Sequence, residues 1–403
     1  MPTVQEILTE TARPTWSFRP GYDAPLPEGM TLTRPSAGRT LDPASGLYES
    51  APAGEPRIFG PLQSLLVEAD ARTNYLRWSS DVSQWNVAGS SLVGTQPSII
   101  GNENNDRDAY IHEGYDAPDR VGQASAGIFS SNLETAWFIG ELIEDQSQGS
   151  KVDLLVDSLA SGDQVARASY DFSNGNISTS FDTVEANAQT LQINGNPGVL
   201  LVAAYDPTAG SYGGDGRRIR LRPARDNVKT QVAWHHAQIE EQRTATSPIV
   251  TGSNEVTREK DGVSIDIDPL NPNERTLLVT FTPQFFFFDP YQVLVGLSGG
   301  GGDYLRTPNS SFPKPITAYD GDNSVRTENT IEKFQKNKVA VSVTDDEIRL
   351  AANGDVSIGP HNGALLTNDT LEIGRSGRLQ VSIRNIAYYP KALSQSALET
   401  LTS

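Results

Sequence analysis

The amino-acid sequence predicts an all-β protein with two tandem β-sandwich domains, an extended N-terminal arm and a short C-terminal helix. A chain of 403 residues is too long for one ordinary core, so two domains are expected. Glycine (35) and proline (25) are plentiful, which suits short strands joined by tight turns. The run Val165–Phe172 alternates apolar and polar residues with a period of two, as a half-buried antiparallel strand does.

Strand-like segments fill residues 57–252, which we assign to the first sandwich. Val152–Leu159 has the pattern of a buried strand. Ser173–Asn176 and Ile193–Gly198 have the composition of tight turns. Strands separated by such turns at intervals of about ten residues are typical of a β-sandwich.

A polar, turn-rich segment, Thr251–Gly262, separates the first sandwich from a second one, to which we assign residues 253–403. Short apolar runs broken by glycine-rich turns continue there, and Asn353–Gly354 is a strong hairpin signal. After Pro390 the sequence predicts a short helix that Ser394 can cap.

Residues 1–56 are rich in proline, which disfavours both helices and central strands. A brief helix is plausible at Val4–Thr11. We expect the rest to be an extended arm that docks on a neighbouring subunit and orders there; a loose terminus is the alternative.

The charge of the chain argues against nucleic-acid binding. The formal net charge is −18, whereas phosphate binding needs clustered lysine and arginine. Apolar runs are shorter than the roughly 20 residues that a membrane span requires, so no membrane insertion is expected. The N-terminus lacks the pattern of a signal peptide, which predicts synthesis in a host cytoplasm. Cysteine is absent, so neither disulfides nor cysteine-bound metals contribute.

Four stretches of the sequence together resemble a known family. They are Leu26–Pro52, Ser64–Trp85, the strand AWHHAQIEEQRTATSPIVTG (Ala233–Gly252), and the segments KVAVSV, LAANGD, LEIGR and IRNIAYYPKALSQSALETLT between Lys338 and Thr402. In this order they resemble appendage proteins of tailed viruses that join a carbohydrate-binding-module-like jelly roll to a concanavalin-A/laminin-G-like sandwich. The chain departs from that pattern at Ser64, where the family has glycine, and in a spacer before Arg72 that is one residue longer.

The resemblance implies a virion structural protein, displayed as a turret, spike or fibre, that contributes to attachment to host-surface glycans. It implies a homo-oligomer, a trimer or a pentamer, with residues 1–56 contacting other virion proteins, and no enzymatic activity. Two alternatives stay open: an architectural capsid or tail decoration protein that binds no sugar, and a virion-associated glycan-degrading enzyme. Glu134, Glu141 and Glu144 are the candidate acids for such an enzyme, which needs two carboxylates about 5 to 9.5 Å apart, but no catalytic signature surrounds them.

Aromatic side chains near loops or strand ends are the candidate glycan contacts, because a flat ring can stack on a sugar ring. Trp137 and Trp234 lie in apolar runs and are expected in the core instead. The candidates are Trp78, Trp85, Tyr110, Tyr304 and Tyr319.

Two adjacent histidines, His235 and His236, precede two glutamates in the third stretch. Consecutive residues of a regular strand point to opposite faces, so these two imidazoles are expected not to share a metal. Trp234, His236 and Glu240 are expected on one face, with His236 and Glu240 about 13 Å apart along the strand. Structural histidines are therefore favoured over a metal or catalytic site.

Two polar loops, 101–108 and 318–324, are candidates for a calcium ion through carboxylate and amide oxygens. Asp320, Asp322 and Asn323 are the ligands proposed for the second loop. Neither loop has the spacing of an EF-hand, and no other cofactor is expected. Glu68 and Arg72 are expected to form an internal ion pair that orders the start of the first sandwich.

Overall fold

The structure is a computed structural model, and it confirms the predicted all-β class. Its helices among the described residues are the 3₁₀ turn Val82–Gln84 and the α-helix α1 (Gln395–Thr402). Within the same part of the chain, no helix is long and apolar enough to cross a membrane. The structure describes residues 16–18, 26, 29–41, 47–59, 64–88, 91–101, 108–114, 120–124, 133–145, 150–208, 216–223, 230–241, 245–266, 274–283, 292–297, 303–307, 313–332, 335–362, 365, 370–374 and 380–403.

The strands alternate with turns along the whole described chain. The first sixteen are β1 (Trp16–Phe18), β2 (Met30–Thr33), β3 (Gly38–Leu41), β4 (Tyr48–Ala51), β5 (Ile58–Phe59), β6 (Ser64–Glu68), β7 (Arg72–Asn74), β8 (Asn86–Ala88), β9 (Ser91–Pro97), β10 (Asp108–Gly114), β11 (Arg120–Ala124), β12 (Glu134–Asp145), β13 (Lys151–Ser158), β14 (Gln164–Asp171), β15 (Ile177–Phe181) and β16 (Thr183–Ile193). The others are β17 (Asn196–Tyr205), β18 (Arg217–Arg222), β19 (Thr230–Glu241), β20 (Val256–Arg258), β21 (Gly262–Asp266), β22 (Glu274–Pro283), β23 (Gln292–Leu297), β24 (Asp303–Thr307), β25 (Lys314–Tyr319), β26 (Ser324–Ile331), β27 (Asn337–Thr344), β28 (Glu347–Ala352), β29 (Asp355–Pro360), β30 (Thr370–Ile373) and β31 (Gln380–Tyr389).

The chain divides into two compact units whose limits differ from the predicted domains. The terminal unit takes its described residues from 1–45, 51–71 and 259–403, and the central unit takes them from 46–50 and 72–258. The predicted domains were 1–56, 57–252 and 253–403. The main difference is β6, which was expected to open the first sandwich. It pairs instead with β31, so it belongs to the terminal unit.

The terminal unit is a sandwich of two antiparallel sheets. One has the order β29-β28-β27-β22-β31-β6-β5, with β1 also paired to β31, and the other has the order β2-β21-β30-β23-β24-β25-β26. Alternate residues of both sheets point inward and form one apolar core, which includes Leu65, Val279, Leu305 and Ile383. This alternation is the signature of sheets buried on one face.

The predicted N-terminal arm contains four described strands, β1 to β4, and two of them pair with distant strands of the same chain. β1 pairs with β31 through Phe18 and Ile386, and β2 pairs with β21 as the edge strand of its sheet. Edge positions tolerate a proline-rich sequence because one side of the strand needs no pairing. The expectation that residues 1–56 order only on a neighbouring subunit is therefore wrong for these segments. The helix predicted at residues 4–11 lies outside the described residues.

The central unit is a second antiparallel sandwich. Its sheets have the orders β16-β17-β12-β19-β10-β9 and β15-β14-β13-β18-β11-β8, and β7 pairs with β20. Phe138, Leu201 and Trp234 from the first sheet meet Leu154 and Leu221 from the second in a fully buried core. The predicted strands and turns of residues 152–205 are confirmed, with Gly175 and Gly195 both at positive φ.

The hairpin and the C-terminal helix also follow the sequence prediction. Asn353 and Gly354 have φ angles of 47° and 88°, as a tight hairpin turn requires, and they join β28 to β29. Ser394 caps α1 by accepting a hydrogen bond from the backbone N–H of Ala397. Ala397 and Leu398 are buried against β27 and β28.

Candidate functional site

The histidine stretch lies on β19, in the middle of a sheet, and a β-bulge changes its geometry. Ile139 of β12 pairs with His236 but Gly140 pairs with Trp234, so His235 is the extra residue. The bulge shifts the alternation, and Trp234 enters the core with Ala237. Gly140 makes room there, because a Cβ at that position would lie 3.2 Å from the Trp234 ring. The prediction that Trp234 and His236 share a face is wrong.

A buried polar network joins His236, Gln238 and Glu240. Nδ1 of His236 lies 2.7 Å from the Ser80 hydroxyl, and Nε2 lies 3.0 Å from Oε1 of Gln238. Oε1 of Glu240 accepts hydrogen bonds from Gln238 at 2.6 Å and from the Trp137 indole at 3.0 Å. All of these β19 side chains are fully buried. These hydrogen bonds join β19 to neighbouring segments of the chain, and the buried side chains are not accessible to a ligand.

His235 serves a different network. Its Nε2 lies 2.9 Å from Oε2 of Glu141, and its Nδ1 accepts a hydrogen bond from the backbone N–H of Ile99 at 3.2 Å. Glu141 also accepts hydrogen bonds from the amides of Asn194 at 3.2 Å and Asn196 at 2.8 Å. The prediction of structural rather than metal-binding histidines therefore agrees with the hydrogen bonds of both imidazoles.

The ion pair expected between Glu68 and Arg72 is absent, because each residue has another partner. Glu68 binds Arg57 in the terminal unit, and the Nε atom of Arg72 lies 3.9 Å from Glu240 in the central unit. Glu68 and Arg72 are close in the sequence but belong to different units.

The aromatic candidates differ in exposure, and for two of them burial contradicts the prediction of a glycan contact. Trp85 is 4% exposed and donates its indole N–H to the Trp78 carbonyl, and Tyr304 is fully buried beside Leu365. Neither can stack on a sugar. Trp78 and Tyr110 are half-buried and pack against the core of the central unit.

Tyr319 keeps a half-buried position, and the guanidinium carbon of Arg306 lies 3.8 Å from the centre of its ring. This cation–π contact occupies one ring face.

The proposed calcium loop is held together by its own N–H groups. Asp320 accepts hydrogen bonds from the backbone of Asp322 at 3.0 Å, Asn323 at 2.6 Å and Asn362 at 2.9 Å. Burial opposes ionisation of Asp320, but these donors prevail and lower its pKa. Asp320 therefore braces a turn, and the assignment of Asp320, Asp322 and Asn323 as calcium ligands stays a prediction. In the described part of the chain, no three His, Cys, Asp or Glu side chains are grouped as a metal site would require. Most of the loop 101–108 lies outside the described residues.

The most distinctive polar surface is one that the sequence analysis did not single out. It lies on β13, β14 and β18, on the sheet face opposite the core of the central unit. Inward residues such as Leu154 and Leu221 fill the core, so the alternate residues form this outer face. We call it the arginine face, and it consists of Asp153, Asp157, Arg167, Arg218, Arg220 and Arg222.

Two buried aspartates hold the guanidinium groups in place. Asp157 accepts hydrogen bonds from Arg218 at 2.8 and 3.0 Å and from Arg220 at 2.5 Å. Asp153 accepts them from Arg167 at 2.9 Å and Arg222 at 3.3 Å. The aspartate side chains are at most 1% exposed, whereas Arg218 is 39% exposed. The other three arginine side chains are 12–17% exposed, so Arg218 is the most accessible guanidinium of this face.

The arginine face is positive in a strongly acidic protein. Among the described contacts, four guanidinium groups surround two carboxylates here, whereas the whole chain carries a net charge of −18. Arg167 and Arg220 each use one N–H in these bonds, and a guanidinium has further donors. Such groups, fixed by buried partners, suit a carboxylate or sulfate ligand. Alternating arginines in RRIRLR (Arg217–Arg222) were the sequence signal that could have revealed this face.

Comparisons with known proteins give fold likenesses only. No family model and no curated protein matches the chain. A carbohydrate-binding module, CBM40 of the Ruminococcus gnavus IT-sialidase, is 16% identical with a TM-score of 0.27, covering 35% of this chain and 93% of the module. Domain 4 of AbnA, a Geobacillus stearothermophilus arabinanase in complex with arabinotriose, is 16% identical with a TM-score of 0.29, covering 40% and 82%. Trypanosoma rangeli sialidase is 13% identical with a TM-score of 0.27, covering 75% and 69%.

These likenesses are to carbohydrate-binding and sialidase β-sandwich domains, but at such low identities and TM-scores they carry no argument about what this chain binds. The described structure itself defines the class: an all-β protein of two sandwich units, one of which presents a preorganised arginine face.

Proposed function

We propose that this chain is a surface protein of a tailed-virus particle that binds acidic glycans of the host through the arginine face. The virion role rests on the four-part sequence resemblance, and the glycan class rests on the charge of the arginine face. An oligomer on the particle would repeat that face several times, so that weak single contacts add up to useful avidity.

The single observation that carries the glycan proposal is the fixed positive surface on an acidic protein. Its guanidinium groups are oriented by Asp153 and Asp157 before any ligand arrives, which lowers the ordering cost of binding.

A binding role is favoured over a catalytic one by the state of the candidate acids. Glu134 is fully buried and pairs with Arg217 at 3.1 Å, and burial raises its pKa against the opposing effect of Tyr205 and Arg217. Glu141 is fully buried beside His235 and two asparagine amides. Both are structural partners rather than acids in an open cleft, and the Glu144 side chain lies outside the described residues.

The glycan proposal predicts a charge-dependent loss of binding. In the variant Arg167→Gln/Arg218→Gln, each aspartate keeps one arginine, Arg222 or Arg220, and the face loses two positive charges. Since each charge-assisted hydrogen bond contributes about 1.5–3 kcal/mol, we expect binding to carboxylated or sulfated glycans to fall about tenfold or more. A glycan array probed with the purified wild-type protein and the variant measures this.

The matched control is Arg77→Gln/Arg326→Gln, which changes the net charge equally at two exposed arginines outside the arginine face. It should bind as the wild type does. Equal loss in both variants, or binding of the wild type to neutral glycans only, would contradict the assignment of the arginine face. Binding should also weaken with added salt, because exposed charges are screened.

The virion proposal makes a separate prediction. An antibody against the chain should label purified particles at their surface in electron microscopy, and mass spectrometry should find the chain in those particles at a fixed copy number. If the chain is absent from washed particles yet abundant in infected-cell lysate, a structural role in the virion is excluded. The glycan proposal would then be decided by its own binding test.

A further inference from the structure

The strand β15 (Ile177–Phe181, ISTSF) forms one edge of the sheet that carries the arginine face. Among the described residues, β15 is hydrogen-bonded to β14 on one side and to no strand on the other. The facing-sheet strand β16 contacts both β14 and β15, so it lies beneath them and leaves the outer edge of β15 open. All five residues of β15 are exposed. This edge can therefore pair with a further strand.

The hydrogen bonding between β14 and β15 shows which backbone groups point to the open edge. The backbone N–H of Asp171 donates to the carbonyl of Asn176 at 3.0 Å, just before β15 begins. Hydrogen-bonded and non-hydrogen-bonded pairs alternate along an antiparallel ladder, so the next residue, Ile177, and then Thr179 make no backbone hydrogen bond to β14. The N–H and C=O groups of Ile177 and Thr179 therefore point outward.

The apolar side chains of β15 extend the core of the central unit to this edge. Ile177 and Phe181 lie opposite Tyr170 and Ala166, which belong to that core, so they point to the same side of the sheet. They are nevertheless 36% and 56% exposed, and Val184 at the start of β16 is 50% exposed. Phe181 also has a φ angle of 62°, which is strained for a bulky residue. Such an exposed apolar rim favours a partner that covers it.

The sequence of β15 is self-complementary about its central residue, Thr179. When two copies of ISTSF lie antiparallel with Thr179 opposite Thr179, Ile177 lies opposite Phe181 and Ser178 lies opposite Ser180. A two-fold axis brings one surface against itself, so this symmetry is what a dimer of identical chains requires. The strand also carries no charged residue, so two copies with a net charge of −18 each can meet here without facing like charges.

The strand β9, at the opposite edge of the central unit, is less suited to pairing. It ends in Pro97, which has no N–H to donate, and its register with β10 shifts between Ile111 and His112. Proline and irregular pairing both protect an edge against a further strand. The strand β15 contains no proline, and its pairing with β14 is regular, so the observations favour β15 as the contact.

We propose that two copies of this chain form a symmetric dimer in which their β15 strands pair antiparallel about a two-fold axis at Thr179. The outward N–H of Thr179 in each copy donates to the Thr179 carbonyl of the other copy. Ile177 of one copy packs against Phe181 of the other and covers its exposed ring. The two β15 strands thereby join two sheets into one continuous sheet.

This dimer places two arginine faces on the same side of the continuous sheet. The two-fold axis is perpendicular to the sheet, so the outer face of one copy continues into the outer face of the other. The two β14 strands, each carrying Arg167, are three strand spacings apart, or about 14 Å. One acidic glycan chain could then contact both faces, a consequence that rests on the proposed function whereas the dimer itself does not.

Sedimentation velocity of the full-length protein over a series of concentrations tests the dimer. We expect the wild type to sediment with twice the monomer mass. Because Thr179 faces Thr179, Thr179→Lys and Thr179→Asp each bring like charges together, and each should weaken dimerisation about tenfold or more. An equimolar mixture of these two variants brings opposite charges together and should restore the dimer, which a folding defect in either variant would not allow.

The matched control is Leu92→Lys, which places a charge on β9 at a residue that is 51% exposed, and it should dimerise as the wild type does. The proposal is overturned by a monomeric wild type, by an assembly with an odd number of copies, or by a mixture that stays monomeric. Loss of the dimer in Leu92→Lys but not in Thr179→Lys would overturn it as well, by assigning the contact to β9. Sedimentation needs no ligand, so a failure of the glycan arrays would leave these results unchanged.

Discussion

Replacing Arg57 by methionine is expected to lower the free energy of unfolding of the terminal unit by about 3–5 kcal/mol. Arg57 is 1% exposed and forms ion pairs with Glu68 and Asp261. Burial disfavours its charge, yet the two carboxylates raise its pKa above the ordinary value. Methionine fills much of the same volume but leaves both carboxylates buried without their cation, and this uncompensated charge is the source of the loss.

Urea unfolding followed by hydrogen-exchange mass spectrometry measures this loss segment by segment. Protection should fall first in β6 and β31, which carry Glu68 and its other partner Gln380 at 2.8 Å. The control Arg326→Met removes an exposed arginine from the same unit and should change stability by less than about 0.5 kcal/mol. Equal stability of the two variants would show that the buried ion pairs contribute nothing net.

Replacing Glu240 by alanine is expected to cost the central unit about 3 kcal/mol or more. The change would remove the acceptor of the Trp137 indole and of the Thr246 backbone N–H, and one of the two acceptors of the Gln238 amide. These groups are buried, so the loss of their acceptor is costly. Loss of tryptophan fluorescence on urea unfolding should shift to lower urea, and an unchanged midpoint would contradict the importance of the network.

The companion variant Glu240→Gln tests the charge of the same residue through pH. Burial raises the pKa of Glu240 above its ordinary value of 4.5, against the opposing effect of Arg72. The folded state therefore holds the proton more tightly than the unfolded chain does, and this contribution to stability is complete below pH 4.5 and lost as pH rises through the folded pKa. Glutamine does not titrate, so it lacks this pH-dependent contribution to stability. Its side-chain oxygen can still accept hydrogen bonds from Trp137 and Gln238.

We therefore compare the free energies of unfolding of the two proteins. The value for the wild type minus the value for Glu240→Gln should fall as pH rises from below 4.5 towards neutrality. Other shifted carboxyls, such as Glu134 and Asp320, are common to both proteins and cancel in the difference. Urea titrations at closely spaced pH values measure that difference. A difference that rises with pH would mean that Glu240 is stabilised in its ionised form by Arg72.

Much of the local structure could be predicted because it depends on neighbours in sequence. The alternation in Val165–Phe172, the turn at Asn353–Gly354 and the capping of α1 by Ser394 all appear in the structure. Each depends on the alternation of apolar and polar side chains, or on backbone preferences, within a few consecutive residues, and both can be read from the sequence.

The candidate site was predictable only in part. Aromatic residues near strand ends were predicted to contact glycans, but burial depends on the opposite sheet, and Trp85 and Tyr304 are buried. The arginine face needed the pairing of β13 with β14 and β18, which brings Arg167, Arg218 and Arg222 around two aspartates from distant places in the chain.

By itself, the sequence determined the all-β class and the positions of many strands and turns, because these follow from local period and composition. Only the tertiary structure decided which residues meet. It pairs Glu68 with Arg57 and Arg72 with Glu240, places β6 in the terminal unit, and puts Trp234 and His236 on opposite faces of the sheet through the bulge at His235. The physical reason is that pairing and burial join segments far apart in the chain, and one extra residue in a strand reverses the faces of all that follow.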